Sequence, residues 1–340
     1  MLVKRPRRDS HFCVAELETL INKFNHRKDQ NRNSSQVRQF PFPPCATIQV
    51  QFPIIEEETM TALTDLRPSP LAGSWYPADQ SRLAKSVDQY LAEAELPAIE
   101  GDILGVVTPH AGHRFSGSVA GHAFAVLRGQ RPDLVVIASP FHQAHAAGLL
   151  TTGHDGYQTP LGSVPVDQQA LREVEQALEE KTGLSLTRVK QDREHAVEIE
   201  LPFLQRVLAD DFSLLPLMIR QQDPEIMHIL GSILADLLAE RDGLLVASTD
   251  LSHFYTAEQA RELDQTMIDH ITALNPQGLY RAEEKEKGFA CGKGALAAVL
   301  WAAREVGANR AYHLAYSHSG RITGDNSRVV GYAAAALVRQ

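Results

Sequence analysis

The stretch Gly243-Leu-Leu-Val-Ala-Ser248-Thr249-Asp250-Leu251-Ser252-His253 decides the fold that we predict. Its first six residues form a short apolar run bounded by glycine and polar residues, which is typical of a buried strand. An aspartate and a histidine follow directly after this strand. Because open α/β sheets bind ligands beyond the carboxyl ends of their strands, Asp250 and His253 are candidate site residues.

Two earlier apolar runs end in the same way. The run 103–108 leads into Pro109-His110, and the run 134–139 leads into Pro140-Phe141-His142. If all three runs are strands of one sheet, then His110, His142 and His253 converge at one edge. Any one histidine after a strand is more often a capping or hydrogen-bonding residue. Three in equivalent positions favour a metal or acid–base site, since neutral imidazole is the commonest metal ligand.

Length and composition indicate an ordinary globular protein. The chain has 340 residues, 44% hydrophobic and 22% charged, and its net charge of −9 predicts no general attraction to nucleic acid. No apolar run reaches the roughly 18 residues that a membrane span needs, and the opening residues do not resemble a signal peptide. Three cysteines, Cys13, Cys45 and Cys291, are too few for a disulfide framework, so we predict a cytoplasmic location.

The chain divides into two parts near residue 66. Residues 1–66 contain many basic and amide side chains and the segment Pro41-Phe42-Pro43-Pro44, with too little apolar pattern for a core. We favour a flexible or disordered extension, or upstream sequence with Met60 as the true start, over a basic tail that grips an acidic partner or RNA. Residues 67–340 have the composition of one folded domain.

Strand and helix patterns alternate along residues 67–340. This alternation predicts a single α/β domain with a mixed, largely parallel central sheet flanked by helices. Strands are predicted at 103–108, 134–139, 148–152, 163–166, 184–189, 212–219, 244–248, 311–317 and 327–338. Helices are predicted at 79–94, 116–127, about 168–178, 194–208, 224–239, 257–273, 276–286 and 291–306.

Cys291 opens the last of these predicted helices. A thiol in the first turn faces the positive end of the helix dipole, and Lys293 lies close by, so we expect the pKa of Cys291 to be lowered. A thiolate combined with two imidazoles would suit Fe(II), Cu or Zn rather than Mg or Ca. The alternative is a small buried apolar side chain without a chemical role.

Two further motifs combine acidic and basic groups. Glu194-His195-Ala-Val-Glu198 does not have the His-Glu-x-x-His order of zinc proteases, and it predicts a helix face shared by His195 and Glu198. That pair is either a helix-cap network or a substrate contact. Asp250 could orient His253 by a hydrogen bond, which would make the two a general acid–base pair. The loop around Asp325 is either a plain turn or part of the pocket.

Six motifs then occur in the order of a known family, and the chain from about Ser69 onward resembles the Memo family. Its bacterial and archaeal members are called AmmeMemoRadiSam system protein B. The motifs are Ala72-Gly73-Ser74-Trp75-Tyr76-Pro77, Pro109-His110-Ala111-Gly112, Glu194-His195-Ala-Val-Glu198 with Leu201-Pro202-Phe203, Ser248-Thr249-Asp250-Leu251-Ser252-His253, Cys291-Gly292, and Gly324-Asp325 with Val329-Val330-Gly331-Tyr332.

The resemblance implies a fold like that of class III extradiol dioxygenases, which are non-haem iron enzymes. It implies a metal site of His110, His142 and Cys291 that holds Fe(II) or Cu, with Zn as a further possibility and no nucleotide or flavin. The dioxygenases have glutamate where Cys291 matches, so ring cleavage is not carried over. The expected activity is therefore only oxidoreductase-like.

The remaining site residues follow from the same resemblance. Asp250, His253 and His195 are the expected catalytic residues, and Glu198 lies in the expected pocket. Asp325 and His113 are added to that pocket; His113 replaces the tyrosine usual after Pro-His-Ala-Gly in the family and adds a possible ligand or base.

A non-catalytic function is the alternative. The resemblance implies possible partnership with a radical S-adenosylmethionine protein and an AMMECR-type protein. A eukaryotic family member binds phosphotyrosine peptide, so a peptide-binding pocket is a further expectation.

Overall fold

A computed structural model describes residues 63–340. The predicted flexible extension, with Cys13, Cys45 and the alternative start Met60, lies outside the described residues except for positions 63–66. Within those positions, Leu66 already pairs with Gly156 in a strand. The folded domain therefore includes residues just before the predicted boundary.

The described residues form twelve strands and nine α-helices. The strands are β1 Leu66–Arg67, β2 Asp102–Thr108, β3 Leu134–Pro140, β4 Leu149–Thr152, β5 Gly156–Thr159, β6 Gly162–Pro165, β7 Thr187–Val189, β8 Ser213–Ile219, β9 Gly243–Ser248, β10 His253–Tyr255, β11 Arg310–His318 and β12 Val329–Arg339. The helices are α1 Gln80–Ala92, α2 His113–Ala125, α3 Gln168–Thr182, α4 Leu201–Val207, α5 Pro224–Ala239, α6 Ala257–Thr272, α7 Pro276–Glu284, α8 Lys293–Glu305 and α9 Gly320–Thr323.

One mixed sheet organises the domain. Within residues 63–340 its strand order is β10-β12-β2-β9-β3-β8-β4-β7, and β11 pairs with β12. The inner strands β2, β9, β3 and β8 are parallel neighbours, whereas β12 is antiparallel to β2 and β4 is antiparallel to β8. Strands β1, β5 and β6 form a small second sheet. The predicted single α/β domain with a mixed sheet is confirmed, and the likeness to class III dioxygenases stays a prediction.

The three apolar runs of the sequence are adjacent strands. Thr108 at the end of β2 pairs with Ser248 at the end of β9, and Ala247 pairs with Ala138 in β3. Because these strands are parallel, the segments that follow them leave the sheet at the same edge. His110 and His142, two of the three histidines expected to converge with His253, have ring centroids 5.2 Å apart.

Helices cover both faces of the parallel strands. β3 is buried along its whole length, as expected for a strand packed on both sides. In α8, every residue from Gly294 to Ala303 is buried. Helix α5 packs closely on α8, since a Cβ at Gly231 would lie 2.7 Å from the Cβ of Trp301. No helix of the described part of the chain is long and apolar enough to cross a membrane.

Three predicted helix starts differ from the structure, and the first is that α2, expected from 116, begins at His113. The helix expected over 194–208 is a loop, then a 3-10 turn at Glu198–Glu200 and the short α4. The Glu194 carboxylate accepts the amides of His195 and Ala196, so the backbone bends around this side chain before the helix begins. Helix α8 starts at Lys293, so Cys291 precedes it and is not in its first turn.

Candidate metal centre

Three histidines meet at the carboxyl edge of the parallel strands. His110, His142 and His195 each place a ring nitrogen within 4.8 Å of those of the other two. Among residues 63–340, this is the group of three potential metal-ligating side chains that lie this close together. The His142 and His195 rings stack with centroids 4.5 Å apart, and His110 meets each of them edge-on at 5.2 and 5.3 Å. The sequence predicted the first two as ligands, whereas His195 was predicted as a catalytic residue.

Asp250 fixes the turn that presents His110. Its Oδ1 accepts the backbone N–H of His110 at 2.9 Å, and it also accepts the Ala111 amide. Burial raises the pKa of Asp250 to about 7, and these amide hydrogen bonds oppose the rise. The carboxyl of Asp250 therefore holds the turn after β2.

The carboxylate of Glu194 lies behind two of the three histidines. Its Oε2 accepts the backbone N–H of His142 at 2.5 Å, and its Oε1 lies 2.9 Å from the Nδ1 of His142 and 3.2 Å from the Nδ1 of His195. Burial is the largest single influence and raises the pKa of Glu194, but the hydrogen bonds from His142 and the nearby His142 and His195 rings together outweigh it, so the net pKa is lowered. An ionised carboxylate at Nδ1 favours the tautomer whose Nε2 carries a free lone pair.

A second buried carboxylate lies behind the third histidine. The Nδ1 of His110 is 3.0 Å from the Oγ of Ser248, which is 2.7 Å from Oε1 of Glu200 and 3.0 Å from the carbonyl of Ala196. Burial raises the pKa of Glu200 well above its usual range. A protonated Glu200 can donate to Ser248, which then donates to Ala196 and accepts from His110. That arrangement satisfies every group and leaves the Nε2 of His110 free.

The environment keeps the more buried histidines uncharged. Burial lowers the pKa of His110 well below its usual range, with smaller contributions from His195, His142 and His253. Burial also lowers the pKa of His195 to about 4, although the charge of Glu194 opposes the shift. Since only an unprotonated imidazole can bind a metal, these histidines are ready to act as ligands near neutral pH.

Cys291 lies against His110. Its Sγ is 3.2 Å from the Nε2 of His110, and the backbone N–H of Asp250 donates to the sulfur at 3.3 Å. Glycine is needed at Gly292 because a Cβ there would lie 2.7 Å from the carbonyl oxygen of Ser248. The thiol of the predicted ligand set is therefore beside one histidine of the cluster.

The predicted low pKa of Cys291 is wrong for this structure. Burial, followed by the nearby charge of Asp250, raises the pKa of the thiol to about 12. Cys291 precedes α8, and the ammonium of Lys293 pairs with Glu283 and lies over the ring of Tyr280. Neither the helix nor Lys293 supplies the expected positive charge.

His253 lies beside the cluster but is not oriented by Asp250. Its Nδ1 donates to the carbonyl of Leu251 at 2.8 Å, and the Asp250 carboxylate is directed to the amides of His110 and Ala111. The expected Asp250–His253 pair is therefore absent. Burial lowers the pKa of half-buried His253, and a nearby His142 lowers it further, so His253 is a neutral imidazole at the edge of the site.

Two predicted pocket residues belong to the core. Glu198 is fully buried and accepts from Arg67, Ser69 and Tyr76 at 2.6–2.7 Å. His113 is also buried, its Nε2 is 3.0 Å from the carbonyl of Ile199, and it packs against aromatic rings. His195 and Glu198 do not share a helix face, because the turn between them directs the two side chains to different surroundings.

Asp325 lies in an exposed turn. Its Oδ1 accepts the backbone N–H and the hydroxyl of Ser327 at 2.8 and 2.6 Å, and these bonds lower the pKa of Asp325. This geometry matches the plain-turn alternative.

Sequence reasoning missed the groups that support the histidines. Glu194 and Glu200 were not assigned, and neither was Ser248 or Arg67. A signal existed, since Glu194, Glu198 and Glu200 are interspersed with apolar residues up to Leu201, and a buried carboxylate needs a partner. The partners come from other parts of the chain.

We expect Glu194→Gln to weaken any metal bound by this cluster roughly 10- to 100-fold, as loss of a carboxylate behind a ligating histidine commonly does. The amide has one oxygen, so its NH2 group must face either the Nδ1–H groups at the Oε1 position or the backbone N–H of His142 at the Oε2 position. Titration with Cu(II) or Zn(II) in competition with a chelator measures the change. Glu173→Gln, at an exposed carboxylate paired with Arg241, is the control. Equal affinities for the two variants would show that Glu194 does not support the ligands.

These features define a class: a mixed α/β protein with an imidazole-rich site at the carboxyl edge of its parallel strands. A family model described as Memo-like protein matches residues 67–336. The chain belongs to the Memo family. It is 35% identical over 272 residues to a MEMO1 family protein of Methanosarcina acetivorans, covering 79% of this chain and 98% of the relative.

Other relatives match a similar share of this chain. A MEMO1 family protein of Methanopyrus kandleri is 36% identical over 282 residues, covering 79% of this chain and 98% of the relative. One of Nitrosopumilus maritimus is 29% identical over 278 residues, covering 80% and 100%. A crystal structure of an uncharacterized Escherichia coli K12 protein aligns with 68% of this chain and 99% of its own, at 16% identity and a TM-score of 0.45.

Proposed function

We propose that this Memo-family chain is a non-haem metal-binding protein of oxidoreductase type, and that the metal is Fe(II) or Cu. One observation carries the proposal. His110, His142 and His195 bring ring nitrogens within 4.8 Å of one another while their Nδ1 atoms contact Glu194 or Ser248. Ligating histidines are commonly held in this way, with the second nitrogen engaged by a carboxylate or another acceptor.

The donor set fits such a metal. Imidazole nitrogens suit Zn, Cu and Fe, and a sulfur next to them favours the softer of these ions. His110 and His142 would hold the ion, and His195 and Cys291 lie where each could complete the set. A bound cation would supply the positive charge that deprotonates the thiol and a redox centre for a substrate beside it.

The chain's own residues define the rest of the site. His253 donates from Nδ1 to a backbone carbonyl, so its Nε2 lone pair is free to accept a proton from a substrate. The Trp75 ring is tilted by 37° against His195 with ring centroids 4.5 Å apart, and Trp75 is 36% exposed, so it offers an apolar surface to a ligand. Asp250 accepts the backbone N–H of His110 and so holds its turn, and we propose no role for Asp250 in proton transfer.

The proposal is tested by metal analysis of protein purified without chelators or an affinity-tag metal. We expect close to one equivalent of metal in the wild type. Cys291→Ser should lower the affinity and, in Cu-loaded protein, remove the sulfur-to-copper absorption band, while the histidines retain some metal. Only two tryptophans occur, and Trp301 is buried, so quenching of Trp75 fluorescence reports binding at this cluster.

His110→Ala should abolish binding, because it removes one of the two histidines that both possible ligand sets share. His228→Ala, at an exposed histidine outside the cluster, is the matched control. The proposal would be contradicted if the wild type and Cys291→Ser were equally metal-free and if both failed to take up added metal. In that case the function as a binding protein, or as a partner of a radical S-adenosylmethionine protein, would be favoured.

A further inference from the structure

A second cleft lies between the start of α6 and the end of β11. We call it the α6–β11 cleft; its cavity of about 320 Å³ is lined by Arg261, Tyr316, His318 and Arg321, among others. An adjoining cavity of about 700 Å³ shares His318 and Arg321 and extends to Asn326. The cleft shares no residue with the histidine cluster.

Positive charge dominates this cleft. Arg261 and Arg321 both line it, and within residues 63–340 neither guanidinium lies within 4.0 Å of a carboxylate. The first turn of the 16-residue helix α6 adds the positive end of a dipole, through Ala257 and Glu258. The side chain of Glu258 is the one carboxylate that lines the cavity.

A buried imidazole in the cleft lacks a hydrogen-bond partner. His318 is 9% exposed, and its Nδ1 has no partner among the residues that the structure describes. Arg261 and Arg321 line the same cavity as His318, and burial followed by the charges of Arg321 and Arg261 lowers the pKa of His318. A buried polar atom without a partner costs free energy, and reorientation of the ring toward an acceptor bound in the cleft would satisfy it.

We propose that the α6–β11 cleft binds a phosphate group, either free phosphate or the phosphate monoester of a small molecule. Arg261 and Arg321 donate forked pairs of N–H groups, a geometry that matches phosphate oxygens. The imidazole of His318 lines the same cavity and can donate one N–H to a further oxygen. Phosphate offers a dianion with several oxygens to donors from three side chains, whereas a carboxylate offers two oxygens and one charge.

Calorimetric titration of the full chain with inorganic phosphate and, separately, with glycerol phosphate tests the proposal. The protein is first freed of metal with a chelator, so that phosphate cannot bind to an ion at the histidine cluster. We expect Arg261→Gln and Arg321→Gln each to weaken binding roughly tenfold or more, as loss of a charged hydrogen-bonding partner does. Glu258→Gln should tighten binding, since it removes the opposing charge.

Arg328→Gln is the matched control, because Arg328 is an exposed arginine that lies over Phe254 and does not line the cleft. The ¹⁵N resonances of the His318 ring should shift on addition of phosphate in the wild type and not in the double variant Arg261→Gln/Arg321→Gln. Tighter binding of glycerol phosphate than of phosphate would identify a monoester site, and the reverse would identify a phosphate site.

Absence of binding to wild type, or undiminished binding to the double variant, would overturn the proposal. So would binding that is lost in His142→Ala but kept in Arg321→Gln, because that result places the phosphate at the histidine cluster. Circular dichroism of each variant separates loss of a ligand site from loss of the fold. Failure of metal binding at the histidines would leave this proposal intact.

Discussion

Arg67→Met is expected to lower the free energy of unfolding by about 3–5 kcal/mol, the usual cost of removing one partner from a buried ion pair. Arg67 is 1% exposed, and its guanidinium donates to Glu198 at 2.6 Å, to Asp192 at 2.8 Å and to the Glu194 carbonyl at 2.6 Å. Methionine fills similar space but leaves the Glu198 carboxylate buried without a positive partner. Urea unfolding followed by circular dichroism measures the loss.

The matched control is Arg131→Met. Arg131 pairs with Asp210 at 2.6 Å, but both side chains are more than half exposed, so its loss should cost no more than about 1 kcal/mol. Equal costs for the two substitutions would show that burial of Arg67 does not matter. Arg67 also clamps the loop that carries Glu194 and His195, so we expect Arg67→Met to weaken metal binding although Arg67 is not a ligand.

His113→Gln is expected to flatten the pH dependence of stability below neutral pH. Burial lowers the pKa of folded His113 to about 4 from an ordinary value of 6.5. Between these two values the unfolded chain binds a proton that the folded chain does not, so stability is full above pH 6.5 and is lost as the pH falls toward 4. The contribution is up to roughly 3 kcal/mol, from 1.36 kcal/mol for each unit of pKa.

Glutamine can retain the hydrogen bond that Nε2 of His113 makes to the carbonyl of Ile199 and cannot be protonated. Unfolding free energies measured from pH 7 to pH 4 should therefore fall less steeply in the variant than in the wild type. His228→Gln, at a histidine whose side chain is 55% exposed, is the matched control. Equal slopes for His113→Gln and His228→Gln would show that His113 is not a buried neutral imidazole.

Much of the fold follows from local patterns. Runs such as 134–139 and 244–248 are apolar and short, as buried strands must be, and β3 and β9 are where these runs predict them. The helix over 194–208 could not be predicted correctly, since Glu194 bonds to amides of its own loop and to His142, 52 positions earlier in the chain. Helical periodicity does not report such long-range hydrogen bonds.

Some features of the candidate site were likewise predictable from the sequence, and others were not. The positions of His110 and His142 after parallel strands were predictable, because the carboxyl ends of such strands share an edge. The separation of His195 from Glu198 was not, because both lie in one short motif and only packing directs one to the histidine cluster and the other to Arg67. The pKa of Cys291 depended likewise on its burial and not on its neighbours in sequence.

The sequence by itself determined the family, the mixed α/β domain and the edge of the sheet at which the histidines gather. Those properties depend on strand and helix patterns and on ordered motifs, which are local in the chain. Only the tertiary structure decided that His195 joins His110 and His142, that Glu194 and Glu200 stand behind them, and that His113 belongs to the core. The physical reason is that a polar side chain's burial, charge and hydrogen-bond partners are set by residues distant in sequence.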